Sequence, residues 1–298
     1  MSKIRREINR ILYYYKVYKN FINVILDILK KKELIYIVLK NGQEGLCKKR
    51  TVQVLVDLAQ LGFNIINVSC KDSYYDKALI CREICLWVRT NIGADVFHIV
   101  EIFGQEIYGK SFKGTVIDVG ASNADSSIYF VIRGAERVIA LEPFPESYEL
   151  ARENIKKLNK LEEKIILLPY ALTSNEGVIE FNVSSDHPNA NSTNPSTEVY
   201  KFGIKFNTKI KVPTITLKTL VYKYNLNKIY LLKMDCEGCE YEVIRKMPIE
   251  ILEKIENIIL EFHNYPQDIP EILRKAGFET RYENKGIGIL KANRKCIY

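Results

Sequence analysis

Glycine is scarce in this chain, 15 in 298 residues, and no Gly-x-Gly-x-x-Gly occurs anywhere along it. A dinucleotide pyrophosphate needs two glycine backbones to clear it, so a nicotinamide site is disfavoured. No Gly-Lys-Ser/Thr closes the turn after Val119, which sets aside a phosphate-cradling P-loop there. Lys16 and Lys19 interrupt any window of about 20 mainly apolar residues near the start, so no transmembrane helix is expected there. No clean apolar run or small-residue cleavage site follows the basic stretch Met1 to Arg10, so no secretory signal is expected. There is no internal repeat and no basic stripe of nucleic-acid type, which disfavours RNA as a partner. The net charge of +8 suits an acidic partner, a membrane surface or a phosphorylated lipid without choosing among them. Hydrophobic and charged contents of 47% and 27% are globular values.

Cysteine is present but unpatterned. Its seven copies, Cys47, Cys70, Cys81, Cys85, Cys236, Cys239 and Cys296, are scattered and odd in number. A secreted disulfide framework is therefore not expected, and free buried thiols in a cytoplasmic protein are. Cys81 and Cys85, one helical turn apart, and Cys236 and Cys239, flanking Glu-Gly, are the residues from which a four-thiolate zinc site would be built. The first spacing is not a C-x2-C knuckle, and no metal is expected.

What is present begins at Val116. The stretch Val116-Ile117-Asp118-Val119-Gly120-Ala121-Ser122-Asn123-Ala124-Asp125-Ser126 reads as strand, small-residue turn and helix start. Val138 to Leu141 follows as a second strand, closed by Glu142, 22 positions after Gly120. Small residues let backbone approach a ligand, the helix start offers N–H groups, and an acid closing the next strand accepts hydrogen bonds from both ribose hydroxyls. S-adenosylmethionine carries no phosphate, tolerates a turn with one glycine, and wants an acid such as Asp118 or Asp125 near its positive groups. An ordinary α/β turn without a ligand is the alternative. Phe144, after Pro143, is placed either against an adenine face or in the core.

Further strands are expected at Lys164 to Leu168, leading into Ala171, at Ile229 to Met234 and at Ile255 to Leu260. Ligands of open parallel sheets sit outside the carboxyl ends of the strands. Asp118, Glu142, Asp235, Glu237, Glu261 and His263 all fall at such ends. The segments Ile99 to Tyr108, Val116 to Phe130, Val138 to Asn154, Tyr170 to Leu172, Asn175 to Gly177, Leu232 to Glu240 and Leu260 to His263 together resemble the FkbM family of S-adenosylmethionine-dependent methyltransferases. The turn departs from the family's usual Gly-Ala-Asn-x-Gly-Asp, with Ser122 for Asn and Ala124 for Gly. Alanine takes positive φ less cheaply than glycine.

The resemblance implies an α/β, Rossmann-like class I methyltransferase fold, with a mostly parallel sheet and a C-terminal antiparallel hairpin. It implies O-methylation, of a small-molecule, glycan or glycolipid acceptor. Cofactor contacts are expected from Asp118, Gly120, Ala121, Asn123, Asp125, Ser126, Glu142, Pro143, Phe144 and Ala171. Asp235, His263 and Glu237 are the candidate bases, a helix-capping role being the alternative for Asp235. A non-catalytic binding subunit of the same fold and an RNA methyltransferase are the alternative functions.

Two domains are expected, an accessory region over 1–98 and the methyltransferase domain over 99–298. In the first, Ile4 to Leu29 repeats apolar residues at helical spacing. This helix either packs on the catalytic domain or on a second subunit, as in a homodimer, or makes peripheral membrane contact through residues 1–32; packing is favoured. A hairpin through Asn41-Gly42, a helix from Thr51 to Leu61, a strand from Phe63 to Ser69 and a helix from Lys77 to Thr90 should follow. The polar segment Ser184 to Thr197 is either a functional lid or a surface loop. A helix from Pro266 to Ala276 and strands at Phe278 to Tyr282 and Gly286 to Lys291 close the chain.

Overall fold

The computed structural model describes residues 3–70, 75–91, 94–184, 191–192, 204–262, 268–283 and 286–295. The chain forms two compact units, Met1–Ile107 with Lys157–Asn159, and Tyr108–Lys156 with Lys160–Tyr298.

In the first unit, two helices, α1 (Lys3–Val17) and α2 (Phe21–Leu29), replace the single helix suggested by the periodicity. The break arises because the residues between them bond elsewhere. The Tyr18 hydroxyl donates to Val52 O at 2.7 Å, and the Asn20 side chain donates to Tyr36 O and accepts from Val38 N. Strands β1 (Leu34–Val38) and β2 (Glu44–Lys48) pair antiparallel around Gly42, which has φ +95. Helix α3 (Lys49–Gln60) buries Val52, Leu55, Val56 and Leu58. Strands β3 (Asn64–Ser69), β4 (Lys77–Cys81) and β5 (Cys85–Arg89) form an antiparallel sheet. The helix expected over Lys77 to Thr90 is thus a hairpin. Its apolar residues alternate, with Ala78, Ile80, Leu86 and Val88 inward, and a period of two is a strand signal. Helix α4 (Ala94–Ile99) and a π-helical turn, Val100–Gln105, follow.

Six cysteines are joined as Cys47–Cys70, Cys81–Cys85 and Cys236–Cys239, which corrects the expectation of free thiols. Cys81 and Cys85 pair directly across the β4–β5 turn, a contact that their spacing disguises as one helical turn. Cys47 and Cys70 meet only through tertiary folding. Thiolates that a zinc ion would need are consumed, and no metal-holding cluster exists among the described residues. With three disulfides in place, the scattered cysteines do not point to a reducing compartment, since disulfides persist in oxidising surroundings. No helix among the described residues is long and apolar enough to cross a membrane.

The second unit is built on β6 (Thr115–Val119), α5 (Asp125–Ile132), β7 (Arg137–Leu141), α6 (Pro145–Arg152) and β8 (Ile165–Leu168). Next come β9 (Ala171–Leu172), β10 (Gly177–Val183), β11 (Thr208–Ile215) and α7 (Leu217–Lys223). The chain continues through β12 (Ile229–Met234), α8 (Glu240–Lys246), α9 (Ile249–Leu252) and β13 (Ile255–Phe262). It closes with α10 (Ile269–Lys275), β14 (Phe278–Arg281) and β15 (Gly288–Arg294). Seven strands form one sheet in the order β14-β15-β13-β12-β6-β7-β8. The five from β8 to β13 are parallel, and β15 runs antiparallel between β13 and β14 to make the C-terminal antiparallel hairpin, which is the class I methyltransferase architecture. The central strands read as near-continuous apolar runs because both faces are covered, and Ile117, Ile139, Leu232 and Ile258 are fully buried. From β6 the chain winds one way to β7 and β8, and later the other way through β12 to β13. The boundary between β6 and β12 is therefore the switch point, and ligands of open α/β sheets bind outside the carboxyl ends at such a point.

Candidate active site

The site starts at the end of β6. Gly120 and Ala121 both donate to Leu141 O at 3.0 Å, which ties the first turn to β7. Gly120 has φ +77, and a Cβ there would lie 1.8 Å from Asp235 O. The glycine is demanded by the neighbouring strand end as well as by the turn. Ser122 and Ala124 then take φ +47 and +67, so Ala124 follows the left-handed path that glycine would take cheaply.

Glu142 closes β7 and is 6% exposed. Its carboxylate accepts from Ser122 N and Phe144 N, both at 2.8 Å, so the side chain is aimed by backbone on either side. Asn123 is buried; its Oδ1 accepts from Asp125 N at 3.2 Å and its carbonyl from Asn154 Nδ2 at 2.8 Å. Asp125 accepts from Ser126 N at 2.7 Å. Pro143 is half-buried, and Phe144, also half-buried, packs on the apolar cluster of Ala171, Phe181, Val183 and Val212.

Asp118 has no exposure, and protein groups engage both its oxygens. Oδ2 accepts from Ser126 Oγ at 2.7 Å and Ser127 Oγ at 2.6 Å, and Oδ1 lies 3.1 Å from Lys233 Nζ. Lys233 faces Asp118 across the β6–β12 pairing and is 2% exposed. It donates to Gly120 O at 2.8 Å and lies 3.8 Å from Asp235 Oδ2. Burial pushes the lysine down, but the Asp118 and Asp235 charges outweigh it and hold it above the ordinary lysine range, as an ammonium. Lys233 thus joins the two strand ends. Lys233 is not among the site residues expected from the sequence. A charged residue inside the apolar run Leu231-Leu232-Lys233-Met234 was the available signal, since buried lysine needs a partner.

Beyond Met234 the chain turns sharply, with Glu237 at φ +55 and Gly238 at φ +121. The turn is held by Glu240, which accepts from Cys236 N at 2.8 Å and Gly238 N at 2.9 Å, and by the Cys236–Cys239 disulfide. The N-cap of α8 is Cys239, with no side-chain hydrogen bond, so Asp235 does not cap the helix; its N–H donates to Val119 O at 3.0 Å. Burial pushes the Glu240 carboxyl up to about 7, against the pull of the backbone donors. Burial raises Glu237 well above the carboxylate range, and the charges of Asp235, Glu261 and Glu240 add to it. Tyr108 is raised by burial and then by Asp235 and Glu261, and its ring lies 5.9 Å from Lys233 Nζ. Asp235, Glu237, Glu261 and Tyr108 therefore share one neighbourhood. Ser192, from the polar segment, donates from its hydroxyl to Glu237 O. His263 lies outside the described residues.

The profile of the methyltransferase FkbM domain matches residues 118–280, more than half of the chain. The chain belongs to the FkbM methyltransferase family. The methyltransferase sdnD of Sordaria araneosa is 23% identical over 199 residues, 59% of this chain and 74% of that protein. An FkbM methyltransferase of Methylobacillus flagellatus is 13% identical, with a TM-score of 0.40 over 61% of this chain and 44% of that one. TrmK of M. capricolum, solved with S-adenosyl-homocysteine, is 13% identical, with a TM-score of 0.37 over 64% of this chain and 67% of that one. As an FkbM methyltransferase, the protein takes S-adenosylmethionine as its cofactor. The rim fits that molecule. Glu142 is a carboxylate aimed by two amides, and a carboxylate accepts up to about four hydrogen bonds, enough for a ribose diol as well.

Proposed function

We propose that this FkbM methyltransferase methylates a hydroxyl of a sugar, glycolipid or related polyol. The observation that carries this is the grouping of Asp235, Glu237 and Glu261 beside the cofactor turn. Several carboxyl groups in one place suit an acceptor that presents several hydroxyl donors. S-adenosylmethionine supplies a methyl group on a sulfonium leaving group. Glu142 would hold the ribose hydroxyls, with the Gly120 to Ser122 turn and Phe144 as further cofactor-holding residues. Asp118 and Lys233 act as positioning residues, since their charged atoms are spent on each other and on the turn.

On the acceptor side, Asp235 would orient the hydroxyl and Glu237 would take its proton as the oxygen–methyl bond forms and the methyl–sulfur bond breaks, with S-adenosylhomocysteine leaving as a neutral thioether. Burial raises the proton affinity of the Glu237 carboxyl, the direction that makes a carboxylate a stronger base. Orientation supplies the larger part of the effect, roughly 7–11 kcal/mol in well-aligned systems.

Purified protein incubated with methyl-labelled cofactor and separated glycan, lipid and tRNA fractions tests the assignment. Label is expected in the glycan or glycolipid fraction, as a base-stable methyl ether. Label in tRNA, or cofactor binding with no transfer to any fraction, overturns it.

A further inference from the structure

The remaining unusual feature is at the start of the chain. Residues 1–32 hold Lys3, Arg5, Arg6, Arg10, Lys16, Lys19, Lys30, Lys31 and Lys32 against Glu7 and Asp27, a net +7 of the chain's +8. The same segment and the hairpin after it carry a large exposed apolar surface. On α2, Ile22, Leu26 and Leu29 are 60%, 45% and 70% exposed, and their spacing of four and three residues puts them on one stripe. On β1, Leu34 and Tyr36 point out while Ile35 and Ile37 point in. Leu46 of β2 lies directly opposite Tyr36. The two elements adjoin, because Leu26 and Tyr36 line one hollow of about 250 Å3 together with Asn20, Asn23, Asp27 and Lys30. Tyr15 of α1, 54% exposed, extends the surface through an edge contact with Phe21.

Isolated exposed apolar residues are ordinary, but a contiguous set is not. The helical stripe alone would suit many partners. The adjoining charge discriminates, since nine basic residues stand against two acids, and long basic side chains reach past an apolar layer. Lys32 lies 2.7 Å from Asp27 and Arg10 3.9 Å from Asp57, and among the described residues no ion pair holds Lys16, Lys19, Lys30 or Lys31. The geometry points to a docking surface for an anionic lipid bilayer, with the α2 stripe and the outer face of the β1–β2 hairpin entering the headgroup layer. Lys16, Lys19 and Lys30 to Lys32 then lie among the lipid phosphates. This inference is independent of the methyl acceptor.

The test is co-sedimentation of the full chain with phosphatidylcholine vesicles, with and without phosphatidylserine, in low and high salt. Binding is expected only to the phosphatidylserine vesicles, and it should weaken as salt rises from about 0.1 to about 1 M. Replacing Lys30, Lys31 and Lys32 together by Gln should weaken partitioning on the order of 100-fold. Leu29→Asp should abolish it while leaving the thermal melt unchanged, because Leu29 is largely exposed. Equal binding to both vesicle types overturns the inference, as does no binding to either. So does a dimer in light scattering that Leu29→Asp dissociates, which would assign the surface to a second copy.

Discussion

Ala124 sits in the left-handed region at φ +67, where a Cβ costs about 1–2 kcal/mol. Ala124→Gly removes that cost and adds part of it back through the greater freedom of the unfolded chain. The expected net result is a stabilisation of roughly 0.5–1 kcal/mol, read as a shift of the urea midpoint at constant slope. Glu142→Gln keeps the side-chain shape but loses the charge that its hydrogen-bond donors prefer. Calorimetric titration should show S-adenosylmethionine binding weakened roughly 10- to 100-fold. An affinity equal to wild type would remove the ribose role. Lys233→Met leaves Asp118 buried without its counter-charge, and the expected loss is about 3–5 kcal/mol of folding stability. Glu142 was legible in the sequence because an acid closing the strand after a tight turn has a chemical reason to be there. Lys233 was not, because its role depends on which strand β12 pairs with, and register between distant strands is a tertiary fact. Gly120 was legible as a turn residue, but the close approach of the Asp235 backbone was not.

At the scale of elements, the turn from Asp235 to Glu240 links stability to pH. The Glu240 carboxyl is pushed up to about 7, from an ordinary value near 4.5. Between these values the folded chain holds a proton that the unfolded chain has released. The contribution is therefore complete below about pH 4.5 and lost as pH passes about 7, amounting to roughly 3 kcal/mol. Glu240→Gln should flatten this part of the curve, as measured by urea unfolding at several pH values across the window. In the first unit, the Cys47–Cys70 bridge closes a loop of 23 residues. Its removal by Cys47→Ser with Cys70→Ser should cost about 3 kcal/mol in a chain-entropy account. A thermal melt unaffected by the double substitution would show that the pairing does not constrain the protein. The same unit marks where sequence reading failed. Lys77 to Thr90 places cysteines four apart and was read as a helix, although Ala78, Ile80, Leu86 and Val88 alternate as strands require. The helical period of the first 29 residues was real, but it could not reveal that Asn20 leaves the helix to bond Tyr36 and Val38.

For the whole molecule, the parallel sheet was the most legible part, because its strands are apolar runs and those at β6, β7, β12 and β13 carry an acidic residue at or beside the carboxyl end. The switch point between β6 and β12 then places Asp118, Lys233 and Asp235 together without further assumption. The N-terminal unit was less legible, as it is held by disulfides and side-chain-to-backbone bonds between segments far apart in sequence. The central claim is that the carboxyl ends of β6, β7 and β12 surround the adenosyl cofactor. A crystal structure with S-adenosylhomocysteine tests it most directly. The account predicts both ribose hydroxyls within about 3.2 Å of the Glu142 carboxylate, with the sulfur facing Asp235 and Glu237. A ligand seated away from Glu142, or a sulfur turned from the β12 end, would contradict it.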